Sequence, residues 1–150
     1  MEVIISIIAV IVSGISIIVS IISAVLAYKQ QVKLNTINMR AKYFEQIFDD
    51  YLIEKIPKAR KYLRFENNKL VDSEQLCQTL SELLVSSLYF RYENAEFYKK
   101  LKEQIQSIED YVSQCGNQCY EQEEQGKVFE EIHKRLSELY KYINDHYIGK

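Results

Sequence analysis

The chain has 150 residues, a net charge of −2 and 47% apolar residues. The net charge by itself points to no class of partner. Once a long apolar N-terminal stretch is set aside, about 120 residues remain, which is room for one small helical domain or one helical hairpin and excludes anything larger.

The N-terminal stretch carries no charge from Val3 to Ala27. Because about 20 apolar residues suffice to cross a bilayer, it predicts a transmembrane helix over residues 1–28. A cleaved signal peptide is the main alternative. It is disfavoured because no Lys or Arg precedes the stretch and because the apolar run exceeds the core of about 7–15 residues that such peptides have. No second long apolar run follows, so we expect a single span.

Small residues recur along this stretch at alternating spacings of three and four, which fill the a and d sites of one heptad frame. In lipid, small side chains let helix backbones approach closely, and serine hydroxyls can hydrogen-bond between helices. The pattern therefore predicts self-association in the membrane, with these residues either packed together or lining a pore. They are Ser6, Ala9, Ser13, Ser16, Ser20, Ser23 and Ala27.

Charges on the two sides of the stretch differ. Glu2 is the one charged residue before it, whereas Lys29, Lys33, Arg40 and Lys42 follow it with no acidic residue among them. The positive-inside rule then places the N-terminus outside the membrane and the remainder of the chain in the cytoplasm.

The heptad frame continues beyond the apolar stretch, and no Gly or Pro occurs between Ala24 and Ile56. The pattern predicts a juxtamembrane helical stalk over residues 29–56, which pairs with other copies through one seam. Pro57 ends this stalk near Glu54 and begins another short helix. The seam consists of Leu34, Ile37, Ala41, Phe44, Phe48 and Tyr51.

Residues 57–150 form the predicted cytosolic helical domain, a hairpin or a bundle. Residues 67–69 (Asn-Asn-Lys) indicate a turn, and no strand alternation is present. Residues 73–114 contain no Gly or Pro, so they form either one long helix or two helices that break near Glu93-Asn94; the last helix runs from about Tyr120 to Tyr147. The predicted fold class is all-α: a transmembrane helix, an amphipathic stalk and a cytosolic helical domain.

A basic cluster begins at the end of the stalk, with no acidic residue from Lys55 to Phe65. The favoured interpretation is pairing with acidic residues of neighbouring helices, such as Glu121, Glu123 and Glu124. One alternative is a patch for an anionic ligand or partner, of which nucleotide or nucleic-acid binding is the less favoured form. Another is contact with anionic lipid heads, which requires the chain to fold back because the stalk holds the cluster away from the bilayer. The cluster comprises Lys55, Lys58, Arg60, Lys61 and Arg64.

Residues with catalytic chemistry are few. His133 and His146 belong to no recognisable set of nucleophile, base and orienting group. Cys115 and Cys119 have three residues between them rather than the two of a redox or zinc motif, and with Cys77 they fit reduced thiols. We therefore expect no enzyme activity, no cofactor and no metal.

The layout consists of an Ile/Val/Ser-rich span, Tyr-Lys-Gln-Gln at 28–31 and a charged helical domain. It resembles small single-span bacterial membrane proteins, and it is similar to membrane effectors of anti-phage defence systems, which damage or depolarise the inner membrane. The serine-lined span also resembles designed serine-rich channel helices. The resemblance covers architecture alone and carries over no functional residue.

Two functions follow as hypotheses. The first is a self-assembling membrane protein that perturbs the bilayer or forms a pore under the control of its cytosolic domain. The second is a non-conducting anchor or regulatory subunit that docks a protein partner through its helices. In either case the expected partners include the lipid bilayer, and the first requires other copies of the chain.

Overall fold

The computed structural model describes the backbone of residues 2–148 and the side chains of residues 3–4 and 13–147. This backbone is mostly helical, which confirms the predicted all-α class. The chain divides into two compact units, the first ending at Lys42 and the second beginning at Tyr43. The sequence predicted a boundary after residue 56. Residues 43–56 instead belong to the second unit, because their apolar side chains pack in its core.

The described backbone begins with seven elements in chain order. They are α1 (Glu2–Ile47), a π-helical segment (Phe48–Lys55), α2 (Ile56–Tyr62), the strands β1 (Arg64–Glu66) and β2 (Lys69–Val71), α3 (Glu74–Ser86) and α4 (Leu88–Glu93). Two long helices complete the chain, α5 (Ala95–Gly116) and α6 (Gln122–Ile148).

The first unit contains one helix that is long and apolar enough to cross a membrane. An 18-residue window of it has a mean hydropathy of 1.5, and none of that window is buried. This agrees with the prediction of a single apolar N-terminal helix.

The sequence predicted that Pro57 ends the preceding helix near Glu54, but the π-helical segment continues to Lys55 and leads directly into α2, of which Pro57 is the second residue. A distant side chain compensates for the missing N–H of Pro57. The N–H of Ile56 donates to the carbonyl of Tyr51, five residues earlier. The same five-residue spacing would pair the N–H of residue 57 with the carbonyl of Leu52, but Pro57 has no N–H to donate. The hydroxyl of Tyr140 on α6 donates to the Leu52 carbonyl instead, at 2.6 Å. One hydrogen bond thus joins the π-helical segment to α6.

A short hairpin corrects the prediction that the chain contains no strand. Strands β1 and β2 pair in antiparallel register, and Asn67 and Asn68 between them have φ angles of 50° and 65°. Two consecutive positive φ values are the signature of a type I′ turn, which Asn tolerates well. Each strand has three residues, too few for alternation to be visible in the sequence.

Residues 73–114 form three helices, more than either alternative predicted. Helix α3 ends at Ser86, and the buried hydroxyl of Ser87 donates to the Leu83 carbonyl at 2.8 Å. The break near Glu93-Asn94 is real: Asn94 caps α5, since its side-chain oxygen accepts the N–H of Phe97 at 3.1 Å.

The core of the second unit is built from the apolar stripes of α3, α5 and α6. These stripes have a helical spacing, and their most deeply buried aliphatic side chains are at most 1% exposed. Each fully buried side chain of this size stabilises the fold by about 1.5–3 kcal/mol relative to exposure. The most deeply buried members are Leu76, Leu80, Leu83, Leu101, Ile105, Ile108, Val112, Ile132, Leu139 and Ile143.

Candidate functional site

The small-residue face of α1 is exposed wherever its side chains are described. Ser13, Ser16, Ser20, Ser23 and Ala27 are all exposed in the first unit, as are the large apolar residues between them. The side chains of two further predicted residues, Ser6 and Ala9, lie outside the described set. An apolar helix without intramolecular cover requires lipid or another helix around it.

One hydroxyl of this face has its donor satisfied within the helix. The Ser20 hydroxyl donates to the Ser16 carbonyl at 2.8 Å. Such a bond to the carbonyl four residues earlier leaves no unpaired O–H in an apolar medium, while the oxygen keeps its capacity to accept. The arrangement is compatible with dry packing against another helix and with contact to water.

The predicted stalk seam divides into two parts with different surroundings. Leu34 and Ile37 are 58% and 50% exposed, and Ala41 is half-buried. Phe44 and Tyr51 are instead buried in the core of the second unit, and Phe48 packs against that core. The second part therefore has an intramolecular role, because its aromatic rings fill the bundle. Contact between copies of the chain through this seam stays a prediction, and of the seam residues only Leu34, Ile37 and Ala41 are left to make it.

Specific contacts fix the buried part of the seam. The ring of Phe44 stacks on that of Tyr147 with centroids 3.8 Å apart. The hydroxyls of Tyr51 and Ser86 lie 2.7 Å apart, within hydrogen-bond distance. These contacts hold residues 44–51 against α3 and α6, so this stretch is part of a folded domain and not a free stalk.

Two members of the basic cluster make ion pairs, but with partners other than those predicted. Lys55 lies 3.6 Å from Glu82 and its ammonium lies 4.4 Å from the centre of the Tyr51 ring. Arg64 contacts Asp72 at 3.2 Å and Glu66 at 3.5 Å. The predicted partners Glu121, Glu123 and Glu124 take no part in these pairs. Because these pairs are exposed, water and salt weaken them, and they contribute little to the stability of the fold.

The remaining three basic residues have no acidic partner among the described residues. Lys58 and Lys61 are exposed, whereas Arg60 is half-buried. Arg60 lies in a cleft between α2 and α6, together with His133, Leu136 and Tyr140. Sequence reasoning missed the three α6 residues as site candidates. The sequence shows that these three residues are spaced by three and four and so share one face of a helix. It does not show that this face lies beside α2.

Within the described part of the chain, the cysteines and histidines form no metal site. Cys77 is half-buried, Cys115 buried and Cys119 exposed, and all three are free thiols. The Tyr120 hydroxyl donates to the Cys115 sulfur at 3.4 Å, and this hydrogen bond, with burial, raises the pKa of Tyr120 to about 12. Among the described residues, no group of three or more His, Cys, Asp or Glu side chains is arranged to hold a metal ion.

The chain was also compared with known proteins. No protein family, curated protein or solved structure matches it. Two surfaces of the chain are therefore the functional candidates: the exposed small-residue face of α1 and the cleft that contains Arg60.

Proposed function

We propose that this chain is a single-span protein of the bacterial inner membrane that self-associates through the small-residue face of α1. Its assemblies perturb or open the bilayer, and the helical domain on the cytoplasmic side controls that step. This is the behaviour of a membrane effector of the kind that acts in anti-phage defence.

The main observation that supports this proposal is the exposed, uncharged and regularly spaced Ser/Ala face of α1. A helix in the core of a soluble domain is largely buried, whereas none of the apolar window of this helix is buried. Small residues at a helix surface in lipid favour close helix contact, and apolar burial gives no drive there. The exposed Leu34 and Ile37 extend the same frame into a region where water would favour their burial between copies.

The number of helices decides what the assembly does. Two to four helices bury the Ser face and leave no useful lumen. Five or more leave a channel that hydroxyl oxygens can line, including those of Ser16 and Ser20.

The proposal is tested by measuring the oligomeric state in nanodiscs and dye leakage from vesicles for matched variants. Ser16→Leu and Ser20→Leu overpack the face, and we expect each to weaken association by about tenfold, in line with an overpacking cost of about 1–3 kcal/mol. Ile18 and Val25 lie on the face of α1 opposite to Ser16 and Ser20. Ile18→Leu and Val25→Leu should therefore leave association unchanged. Equal effects on both faces, or a monomeric wild type, would overturn the assembly proposal.

Ser→Ala variants separate a pore from a dry bundle. Ala keeps the small volume but removes the hydroxyl that water contacts. In a hydroxyl-lined pore, Ser16→Ala and Ser20→Ala together should reduce leakage severalfold while association persists. Absence of leakage from inserted, oligomeric wild type would reject the pore and leave the bundle.

The second candidate function is that of an anchor or regulatory subunit. It is favoured by apolar side chains that the helical domain leaves uncovered at the junction of α3 and α4. Val85, Leu88 and Tyr92 are 65%, 40% and 86% exposed. Such a surface suits a protein partner, and this function is supported if the span is monomeric in nanodiscs.

A further inference from the structure

The cleft between α2 and α6 has a volume of about 300 Å³. Helix α2 contributes residues from its first two turns, and α6 contributes residues spaced by three and four along one face. The lining that matters for the argument consists of Ile56, Pro57, Arg60, His133, Leu136 and Tyr140.

The base of the cleft is apolar. Ile56 is 1% exposed and Leu136 is 4% exposed. The Tyr140 hydroxyl donates its hydrogen bond to the Leu52 carbonyl, so it is not available as a donor to a ligand. The hydroxyl of Ser137, which also lines the cleft, donates to the His133 carbonyl at 2.8 Å. Donors for a ligand therefore come from the Arg60 guanidinium and the His133 ring.

Arg60 differs from its neighbours in the basic cluster. Lys55 and Arg64 pair with carboxylates, whereas Arg60 has no acidic partner among residues 13–147. Its positive charge acts on the Tyr140 phenol and opposes the increase in pKa that burial causes there. A half-buried guanidinium beside an apolar base binds carboxylate or phosphate more strongly than a fully solvated one does.

We infer that this cleft binds a small amphipathic anion. A phosphate or carboxylate group contacts Arg60, and a compact apolar group lies against Ile56 and Leu136. The volume is at the lower end of the range of about 300–1,000 Å³ for ligand pockets, so one ring with one anionic group fills it. The inference is independent of membrane assembly. A bound ligand would contact both α2 and α6.

The test is calorimetric titration of the purified 150-residue chain, in zwitterionic nanodiscs, with phenyl phosphate. Empty nanodiscs give the blank; if the chain stays soluble without lipid, the same titration is done in buffer. We expect saturable binding, which Arg60→Gln weakens by at least about tenfold because a charge-assisted hydrogen bond is lost. Arg64→Gln makes the same charge change outside the cleft and should alter the dissociation constant less than about twofold.

Ligand controls separate the two parts of the proposed recognition. Inorganic phosphate lacks the apolar group and benzyl alcohol lacks the charge, so each should bind at least about tenfold more weakly than phenyl phosphate. If Arg60→Gln fails to fold, Ser137→Phe at the exposed rim of the cleft replaces it and should block binding. Absence of saturable binding up to about 10 mM, or equal weakening by Arg60→Gln and Arg64→Gln, would overturn the inference.

Discussion

At the residue scale, the hydroxyl of Tyr140 has a defined structural role. It supplies to the Leu52 carbonyl the hydrogen bond that Pro57 cannot make. Tyr140→Phe should lower the free energy of unfolding by about 1–3 kcal/mol, because the carbonyl loses its donor. Urea unfolding of the chain in micelles, followed by far-ultraviolet circular dichroism, measures this change.

Tyr92→Phe is the matched control for that experiment. Tyr92 is 86% exposed, so removal of its hydroxyl should change the free energy of unfolding by less than about 0.5 kcal/mol. Similar changes in the two variants would mean that the Tyr140–Leu52 hydrogen bond has no special weight in holding the π-helical segment to α6.

At the scale of elements, the β1–β2 hairpin depends on backbone conformations that few residues adopt. Asn67 has a φ of 50°. Asn67→Val should lower the free energy of unfolding by about 1–2 kcal/mol, since a branched side chain clashes with the backbone in the left-handed region. Asn67→Gly, which has no side chain to clash, should leave stability unchanged or slightly increased; chemical denaturation of both variants measures the difference.

The hairpin turn also has a tertiary contact. The carbonyl of Asn68 accepts the N–H of Tyr120 at 2.8 Å, which joins the turn to the loop before α6. If Asn67→Val and Asn67→Gly destabilise the chain equally, this contact or the Asn67 side chain is responsible and the turn conformation is not.

The elements differ in how well the sequence predicted them. Apolar residues at helical spacing correctly indicated that residues 73–114 are helical and that a last helix follows, because a periodic apolar face is typical of a helix that packs on a core. They did not separate α3 from α5. The hairpin was missed because three-residue strands carry no periodic signal. The break at Ser87 was missed because Ser is compatible with both a helix interior and a helix end, and only the Leu83 carbonyl that its hydroxyl contacts distinguishes the two.

At the scale of the whole molecule, the proposed topology can be tested with a native reporter. Cys119 is exposed, Cys77 is half-buried and Cys115 is buried. With the N-terminus outside the inner membrane, a membrane-impermeant maleimide should label the chain in inverted vesicles and not in spheroplasts. Cys119→Ser should remove most of the label. Labelling in spheroplasts would contradict the orientation that the charges predict.

The predicted oligomer seam shows why a periodic pattern does not identify its partner. A stripe such as Phe44, Phe48 and Tyr51 reads the same whether it packs against another chain or against a later segment of its own. The structure packs it against helices far along the sequence, including the one that carries Tyr147. Leu34 and Ile37, which are 58% and 50% exposed, are the part of the stripe left for other copies.

The sequence by itself determined the helical class and the single apolar helix, because each depends on residues close together along the chain. It left open whether the chain breaks before Asn94, and the structure decided that point. The tertiary structure alone decided the partners of the basic cluster, the core position of residues 44–51 and the cleft around Arg60. These depend on which distant helices meet, and contacts such as Tyr140 with Leu52 join residues 88 positions apart. The sequence shows which side chains each helix carries, but it does not show that α2 lies beside α6.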